Sequence, residues 1–196
     1  MMLSKVVPPV IGGVTLFVGC PGSGKTTLAR DCAFLDCEKN GRPIVVVDPS
    51  RVDQLKCFPH ATGLEATVRE AWGVGSHVAY TPQGEDEFDG LMAAARAGKD
   101  VILLLDELRF FASAHYLSRE LTLACRMWKH SNLSVYGTTQ HVGDLHAELL
   151  AVVTNLVVFR VTSPRGLERL QREYGLAPDV VSQLPQFEYL TVRVGF

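Results

Sequence analysis

A nine-residue segment near the start of the chain constrains its fold more than any other feature. Residues 19–27 read GCPGSGKTT, in which Gly19, Gly24, Lys25 and Thr26 satisfy the pattern G-x-x-x-x-G-K-[ST]. A hydrophobic run precedes the segment and an amphipathic pattern follows it, which is the context that this motif requires. The chain is therefore expected to contain a β-strand, a tight glycine-rich loop and an α-helix in direct succession.

The residue types in this loop suit the binding of phosphate groups. Glycines let backbone N–H groups curl around phosphate oxygens at positions where a Cβ would intrude. Lys25 supplies positive charge to the β and γ phosphates, and the Thr26 hydroxyl is placed to ligate Mg²⁺. The helix that begins here adds its positive dipole end. A chance match in a glycine-rich turn is the alternative, and the flanking strand and helix argue against it. We predict ATP and Mg²⁺ as ligands, with the nucleotide held by Gly19, Cys20, Pro21, Gly22, Ser23, Gly24, Lys25, Thr26 and Thr27.

Composition is that of an ordinary globular protein. The 196 residues, 47% hydrophobic and 20% charged, fit a single domain over residues 1–196. The net charge of -2 means that any contact with nucleic acid needs a local basic patch. Five cysteines without CxxC spacing indicate reduced thiols in a cytoplasm-like compartment, and no apolar run reaches the roughly 18 residues of a membrane span. Prolines and glycines interrupt the apolar start, so we expect residues 1–14 to fold rather than to act as a signal peptide.

Short β-branched runs alternate with helical patterns along the chain, which is typical of a parallel sheet covered on both faces. Strands are predicted at residues 13–18, 43–48, 77–81, 101–106, 133–138 and 156–161, with an edge strand at 187–194. Apolar helical stripes are formed by Leu28, Cys32 and Leu35 and by Phe88, Leu91, Met92 and Ala95, the second ending at Gly98. A later helix starts with Ser163 as N-cap and Pro164 as first residue and ends near Gly175. Residues 54–75 show a weak pattern and are predicted to be irregular around a short helix.

Two acids end the apolar run VILLLDE at residues 101–107. An acid at the carboxyl end of a parallel strand faces the ligand crevice, so Asp106 is predicted to hold Mg²⁺ and Glu107 to act as the general base that orients water. The alternative is a pair of solvated acids at a strand end. Because predicted strands 43–48 and 77–81 both precede this run, we expect an extra strand between the loop strand and the acidic strand. This favours the P-loop NTPase class with an additional strand and a catalytic Glu.

The next strand leads into SVYGTTQH at residues 134–141, and here the sequence resembles the FtsK/HerA superfamily of DNA-pumping ATPases. The fourth core strand of that superfamily typically ends in Thr-Gln, as it does here at Thr139 and Gln140, and residues 155–170 are similar to the strand and helix that follow. The resemblance covers residues 13 to about 175. Within the superfamily the chain is most similar to genome-packaging ATPases of membrane-containing icosahedral viruses.

This resemblance implies a three-layer, RecA-like P-loop domain with a mostly parallel sheet, in which Gln140 senses the γ-phosphate. It implies a homomeric ring that hydrolyses ATP at subunit interfaces and pumps double-stranded DNA into a preformed capsid. Viral capsid or vertex proteins are then the partners, and the host cytoplasm and the virion are the locations. The sequence departs from the family pattern at His141, which replaces a basic residue, and at Lys129, which fills the expected arginine-finger position.

These departures leave open which basic residue of a neighbouring subunit completes the nucleotide site. Arg119, Thr122, Arg126 and Lys129 recur at helical spacing on one face, opposite an apolar side formed by Leu117, Leu121, Ala124 and Trp128. Arg126 or Lys129 could reach the neighbour's γ-phosphate, and Arg160 at the end of its strand is a second candidate. The alternative is an ordinary solvated helix face.

A possible DNA contact follows Glu107 directly, in LRFFASAHY at residues 108–116. Arg109 and Phe110 are the candidates, because a loop that combines charge with aromatic rings can grip phosphates or stack on bases in a ring channel. The alternative is that both Phe110 and Phe111 belong to the core and Arg109 is a surface charge.

A second function class also fits the P-loop. The chain resembles Zot-like phage morphogenesis proteins, which would make it a nucleotide-dependent assembly or export factor that acts on protein rather than on DNA. Those proteins usually carry a transmembrane segment, which is not predicted here. A module that binds nucleotide without hydrolysis is a third possibility, and Glu107 argues against it.

Overall fold

The computed structural model describes residues 12–64, 66–67 and 77–194. The prediction that the first residues are folded lies almost wholly outside this range, and the prediction of irregular structure over 54–75 lies partly outside it. None of the helices in the described part is long and apolar enough to cross a membrane.

A seven-stranded sheet forms the centre of the molecule, in the order β3-β2-β4-β7-β1-β8-β9. All neighbouring pairs are parallel except β8 and β9, which are antiparallel at one edge. Its strands are β1 (Gly13–Val18), β2 (Ile44–Val47), β3 (His77–Tyr80), β4 (Ile102–Leu105), β7 (Ser134–Thr139), β8 (Asn155–Val158) and β9 (Leu190–Arg193). A separate two-stranded ribbon consists of β5 (Ala112–Ser113) and β6 (Tyr116–Leu117). The predicted α/β fold class, mostly parallel with one differing edge strand, is confirmed.

Helices cover both faces of this sheet because its strands are apolar on both sides. In β4, Leu103 and Leu105 face one core, whereas Ile102 and Leu104 face the other. All four side chains are fully buried, and burial of each contributes roughly 1.5–3 kcal/mol. The α-helices that lie wholly within the described residues are α1 (Lys25–Asn40), α2 (Glu85–Gly98), α3 (Arg119–Arg126), α4 (Ala147–Leu150), α5 (Pro164–Tyr174) and α6 (Pro178–Ser182). Three layers result, as predicted.

Local helix signals were read correctly in α2 and α5. The predicted apolar residues of α2 are all buried. In α5 the Ser163 hydroxyl accepts a hydrogen bond from the N–H of Gly166 at 3.3 Å, Pro164 is the first helical residue, and Gly175 ends the helix with a φ of 67°. In α1 the buried face is shifted from the predicted stripe: Leu28 and Leu35 are only half-buried, and the buried side chains are Lys25, Ala29, Cys32, Ala33 and Asp36.

A strand does lie between the loop strand and the acidic strand, but it is neither of the two strands that were predicted to lie there. Strands β2 and β3 precede the acidic strand β4 in the chain, but both lie on its far side in the sheet. The strand that separates β1 from β4 in space is β7, which pairs with both of them. Chain order could not reveal this, because parallel crossovers of a dozen or more residues can return a strand to either side. The residues at the end of β7 are therefore placed between the phosphate-binding loop and the acids.

The predicted basic helix face is wrong at Lys129 and Thr122, whereas Arg119 and Arg126 are exposed residues of the helix. Helix α3 ends at Arg126, and Lys129 lies in the turns that follow it. The chain leaves the helix there because it must enter β7: Ser131 N–H bonds to Met127 O at 3.0 Å and Leu133 N–H bonds to Trp128 O at 2.8 Å. Thr122 is buried, and its hydroxyl donates to Ser118 O at 3.0 Å rather than facing solvent.

A buried polar network fixes α1 against β7 at the opposite end of the sheet from the loop. Asp36 is fully buried and pairs with the guanidinium of Arg42. Its second oxygen accepts from the hydroxyl of Tyr136 at 2.7 Å, and Arg42 also donates to Ser134 Oγ at 2.8 Å. Burial alone would raise the pKa of Asp36, but hydrogen bonds from Ser134, Tyr136, Arg42 and Asn40 outweigh it and the pKa is lowered. The hydrogen bonds of this network therefore tie the helix that begins at Lys25 to the strand that ends at Thr139.

Candidate nucleotide site

The loop of residues 19–27 connects β1 to α1 at the carboxyl edge of the sheet. Its Gly22 and Gly24 have φ values of 71° and 96°, which residues with a Cβ rarely adopt. Two backbone hydrogen bonds anchor the loop to the sheet: the N–H of Gly19 donates to Thr139 O at 3.2 Å, and the N–H of Cys20 donates to Arg160 O at 2.9 Å. The hydroxyl of Ser23 is buried, and no described residue forms a hydrogen bond with it. The loop thus presents unused donors to a ligand.

Lys25 is the first residue of α1 and is buried, with only 6% of its surface exposed. Its ammonium group donates one long hydrogen bond to Cys20 O, at 3.4 Å. Burial lowers the pKa of Lys25, while the negative charges of Glu107 and Asp106 act in the opposite direction. A buried ammonium group whose one hydrogen bond to the described residues is this long is suited to bind phosphate oxygens, which is the role predicted for Lys25.

Thr26 and Asp106 meet at the end of β4. The Thr26 hydroxyl donates to Asp106 Oδ1 at 3.0 Å, and Thr138 Oγ1 donates to the same oxygen at 2.8 Å. The Thr26 hydroxyl and the Asp106 carboxylate are hard oxygen ligands of the type that Mg²⁺ prefers. Adjacent ligands of an octahedral Mg²⁺ lie about 2.9 Å apart. The spacing of Thr26 Oγ1 and Asp106 Oδ1 therefore fits a shared Mg²⁺ ion.

Glu107 is held by the end of β7. Its Oε1 accepts from the hydroxyl of Thr139 at 3.0 Å and its Oε2 accepts from the N–H of Gln140 at 3.3 Å. The N–H of Glu107 in turn donates to Thr138 Oγ1 at 3.0 Å. Its φ of 50° is unusual for a residue with a Cβ, and strained residues of this kind cluster at functional sites. Gln140 thus contacts the predicted base through its backbone, and its side chain stays half-exposed.

Asp48 was missed by the sequence reasoning as a site residue. It follows β2, the strand next to β4, and Asp106 N–H bonds to Val47 O at 2.9 Å, so the two acids are neighbours. Asp48 is 1% exposed and accepts from Val52 N–H at 3.2 Å. Burial raises its pKa, and the charge of Asp106 adds to this. The signal was present: an acid after an apolar strand, the same pattern that identified Asp106.

One protein-family model matches most of the chain. The model of the ATPase family associated with various cellular activities (AAA) matches residues 15–161, from β1 to the end of β8 and just beyond. The chain belongs to the AAA family of ATPases. The predicted ATPase class is thereby confirmed, and the loop of residues 19–27 is its P-loop. No functionally curated protein matches the sequence.

Several solved structures have the same fold as this ATPase. The genome packaging NTPase B204 from Sulfolobus turreted icosahedral virus 2, in complex with ATP-gammaS, is 20% identical with a TM-score of 0.80, covering 93% of this chain and 92% of that chain. The DNA-packaging ATPase B204 from Sulfolobus Turreted Icosahedral Virus is 16% identical with a TM-score of 0.75 over 93% and 92%. VirB4 of Thermoanaerobacter pseudethanolicus is 10% identical with a TM-score of 0.64 over 94% and 89%. The resemblance to genome-packaging ATPases is confirmed at the level of the fold.

The basic residues predicted for a neighbouring site occupy different places in this ATPase. Arg126 ends α3 with a side chain that is 54% exposed and lies 3.3 Å from Glu148. Lys129 is exposed beyond the helix, with its ammonium group 5.4 Å from the centre of the Trp128 ring. Arg160 is exposed. It lies beside its own P-loop, because its carbonyl oxygen accepts a hydrogen bond from Cys20 N–H. Among the described residues, Arg126 and Lys129 therefore contact groups outside their own nucleotide site, whereas Arg160 bonds to its own P-loop through its backbone.

The candidate DNA contact lies directly beyond Glu107. Residues Leu108–Phe110 form one short 3-10 turn in which Arg109 is exposed and Phe110 is 58% exposed. Phe111 belongs to the core instead, and its ring is stacked on Phe88 with centroids 3.8 Å apart. The alternative that both rings are core is therefore wrong for Phe110.

Proposed function

We propose that this ATPase is a double-stranded DNA translocase that packages a viral genome into a preformed capsid, working as a homomeric ring. The likeness in fold to the B204 packaging NTPases, over nearly the full length of both chains, supports this proposal. The observation that carries it is the position of an exposed Arg109 and Phe110 two and three residues beyond Glu107, so that one short turn joins the hydrolytic acid to a surface suited to DNA.

Hydrolysis is proposed to use the residues gathered at the carboxyl edge of the sheet. Lys25 binds the β- and γ-phosphate oxygens, and Glu107 takes a proton from the water that attacks the γ-phosphorus in line with the departing oxygen. Mg²⁺ held by Thr26 and Asp106 would neutralise part of the phosphate charge. Thr139 and Gln140 orient the Glu107 carboxylate through the bonds at 3.0 and 3.3 Å.

Coupling to DNA is proposed to pass through the same short turn. Phosphate contacts are formed by basic side chains, and exposed aromatic rings can stack on bases or pack against sugars. A shift of Glu107 on binding or release of the γ-phosphate would move Arg109 and Phe110 with it, because only Leu108 intervenes. Leu108 is buried, so it would act as the fixed point about which the turn moves.

The ring is proposed to place a basic residue of one subunit at the nucleotide of the next. Arg126 suits this task better than Arg160, because its side chain is more than half exposed and pairs with Glu148, outside its own P-loop, whereas the backbone of Arg160 bonds to that loop. The partners are then copies of the same chain, double-stranded DNA, and capsid or vertex proteins. The ATPase would work in the host cytoplasm and at the virion.

An ATPase assay with and without duplex DNA, at low salt where phosphate contacts are strongest, tests the proposal. We expect DNA to raise the hydrolysis rate, and Arg109→Ala and Phe110→Ala to reduce this increase. Arg172→Ala provides the matched control, because Arg172 is an exposed arginine on α5 whose partner is the neighbouring Glu173. Hydrolysis that stays the same at every DNA concentration, or that responds to a protein substrate instead, would contradict the translocase.

A further inference from the structure

Phe187 is an exposed aromatic residue next to the P-loop. Its side chain is 64% exposed, the highest value among the exposed large apolar residues of the described chain. A Cβ built on Gly24 would lie 3.2 Å from Cδ1 of Phe187, so the ring rests against the residue directly before α1. The ring is therefore not held at this position by packing into the hydrophobic core.

The backbone around Phe187 holds the ring in place. Glu188 N–H bonds to Pro185 O at 3.2 Å, which closes a turn with Phe187 at its third position and a φ of 66°. Glycine or asparagine is usual there, so a phenylalanine is strained. Both sides of the turn are anchored: Leu184 is buried, and the Tyr189 ring lies 5.3 Å from that of the buried Phe159. The core thus fixes the turn and leaves the Phe187 ring in solvent.

The surroundings of the ring suit a nucleotide beyond its phosphates. Phe159 also lies below the loop, since a Cβ on Gly24 would be 3.8 Å from its Cε1. The exposed Thr162 lies on the same side, with its hydroxyl 3.5 Å from Cys20 Sγ. The loop N–H groups and Lys25 are the groups expected to bind the charged phosphates, and an apolar ring offers phosphates no hydrogen bond. A flat apolar surface at this place fits a flat heterocycle instead.

We propose that Phe187 is the platform on which the nucleobase of bound ATP stacks. Stacking on an aromatic ring depends on the area of the base more than on its hydrogen-bonding groups. Purine nucleoside triphosphates therefore bind more tightly than pyrimidine ones. Base stacking at this subsite requires neither DNA nor assembly into a homomeric ring, because the residues that form the subsite belong to the same chain as the P-loop.

Inorganic tripolyphosphate provides the test, because it carries three phosphates and no base. Phe187→Ala is expected to weaken ATP binding by about 5- to 160-fold, the range typical of lost base–aromatic stacking, and to leave tripolyphosphate binding unchanged. Calorimetry in Mg²⁺ gives both affinities. Val180→Ala is the matched control, because Val180 is an exposed apolar residue of the neighbouring helix α6 and should not affect either ligand.

Two further variants separate stacking from support of the loop. Phe187→Gly removes the ring and relieves the positive φ, so it should lose the preference for ATP over tripolyphosphate without a fall in Tm. Phe187→Trp should change its fluorescence on addition of ATP but not of tripolyphosphate. An equal loss of affinity for both ligands in Phe187→Ala, or ATP binding that is unchanged, would overturn the proposal. No DNA is present in these measurements, so their outcome does not depend on whether the ATPase is a translocase.

Discussion

The hydroxyl of Thr139 donates a hydrogen bond to Glu107 Oε1 at 3.0 Å, which joins the ends of strands β7 and β4 within the site. The preceding residue, Thr138, bonds in the same way to Asp106 Oδ1 at 2.8 Å. Two consecutive threonines of one strand therefore orient both carboxylates. This is possible because β7 lies between β1 and β4, and because successive side chains of a strand point to opposite faces.

Replacement of Glu107 tests the assigned base. Glu107→Gln keeps the size of the side chain but removes proton acceptance, so the hydrolysis rate should fall about 10²- to 10⁴-fold while ATP still binds. Phosphate release and calorimetric ATP binding measure the two properties. Glu168→Gln, at an exposed position of α5, should behave as wild type. Normal turnover in Glu107→Gln would remove Glu107 from the mechanism.

The Thr139 hydroxyl is expected to act by positioning Glu107. Thr139→Val keeps the shape of the buried side chain but removes the hydroxyl, which donates to Glu107 Oε1 and accepts from His141 N–H at 3.0 Å, so kcat should fall about 10- to 100-fold with little change in KM. Thr139→Ser retains the hydroxyl and should restore most of kcat. A purely structural role would instead lower Tm in both variants and leave kcat of the folded fraction unchanged.

Mixing of two inactive variants tests whether Arg126 acts on a neighbouring subunit. Arg126→Ala and Glu107→Gln should each be nearly inactive alone, because each lacks one part of every interface. When they are mixed, some interfaces combine an intact Glu107 with an intact Arg126, and part of the activity should return. Arg160 lies beside its own P-loop, so a mixture of Arg160→Ala with Glu107→Gln should not recover. If only Lys129→Ala complements Glu107→Gln, the basic residue is Lys129.

The buried Asp36–Arg42 ion pair predicts a pH-dependent contribution to stability. Asp36→Asn leaves Arg42 buried without its charge partner, which should lower the free energy of unfolding by about 3–5 kcal/mol at pH 7. The pKa of Asp36 is lowered in the folded state, so this contribution is complete above the unfolded pKa of about 3.9 and is lost as pH falls through the folded pKa.

Urea unfolding of wild type and Asp36→Asn at several pH values measures this effect. The difference in free energy between them should shrink as the solution is acidified below pH 4, roughly the unfolded pKa. Asp31→Asn is the control on the same helix: its side chain is 50% exposed and pairs with Arg30 at the surface, so about 0–1 kcal/mol is expected. A difference that does not vary with pH would contradict the assignment.

Local patterns allowed much of the fold and site to be predicted. The P-loop depends on the spacing of Gly19 to Thr26, and Asp106 was found because an acid follows an apolar strand. Ser163 and Gly175 mark the ends of α5 through their own backbone chemistry. In each case the chemistry lies within a few residues of sequence, so the pattern alone carries the prediction.

Other features depend on contacts between distant segments and were beyond the sequence. The place of β7 between β1 and β4 is set by long crossovers, so the link from Thr139 to Glu107 was not foreseen. Lys129 continued the helical spacing of α3, but the need to enter β7 ends the helix before it. The approach of Phe187 to Gly24 depends on how β9 returns along β8. No periodicity within the chain reports such a contact.

Displacement of a third strand from duplex DNA measures translocation most directly. A fluorescent triplex-forming oligonucleotide is bound near one end of a linear duplex, and its release is followed after the ATPase and Mg-ATP are added. We expect release that requires ATP hydrolysis, so that it occurs with wild type and is absent with Glu107→Gln. Continued hydrolysis of ATP in the presence of the duplex, with the third strand still bound, would contradict the translocase.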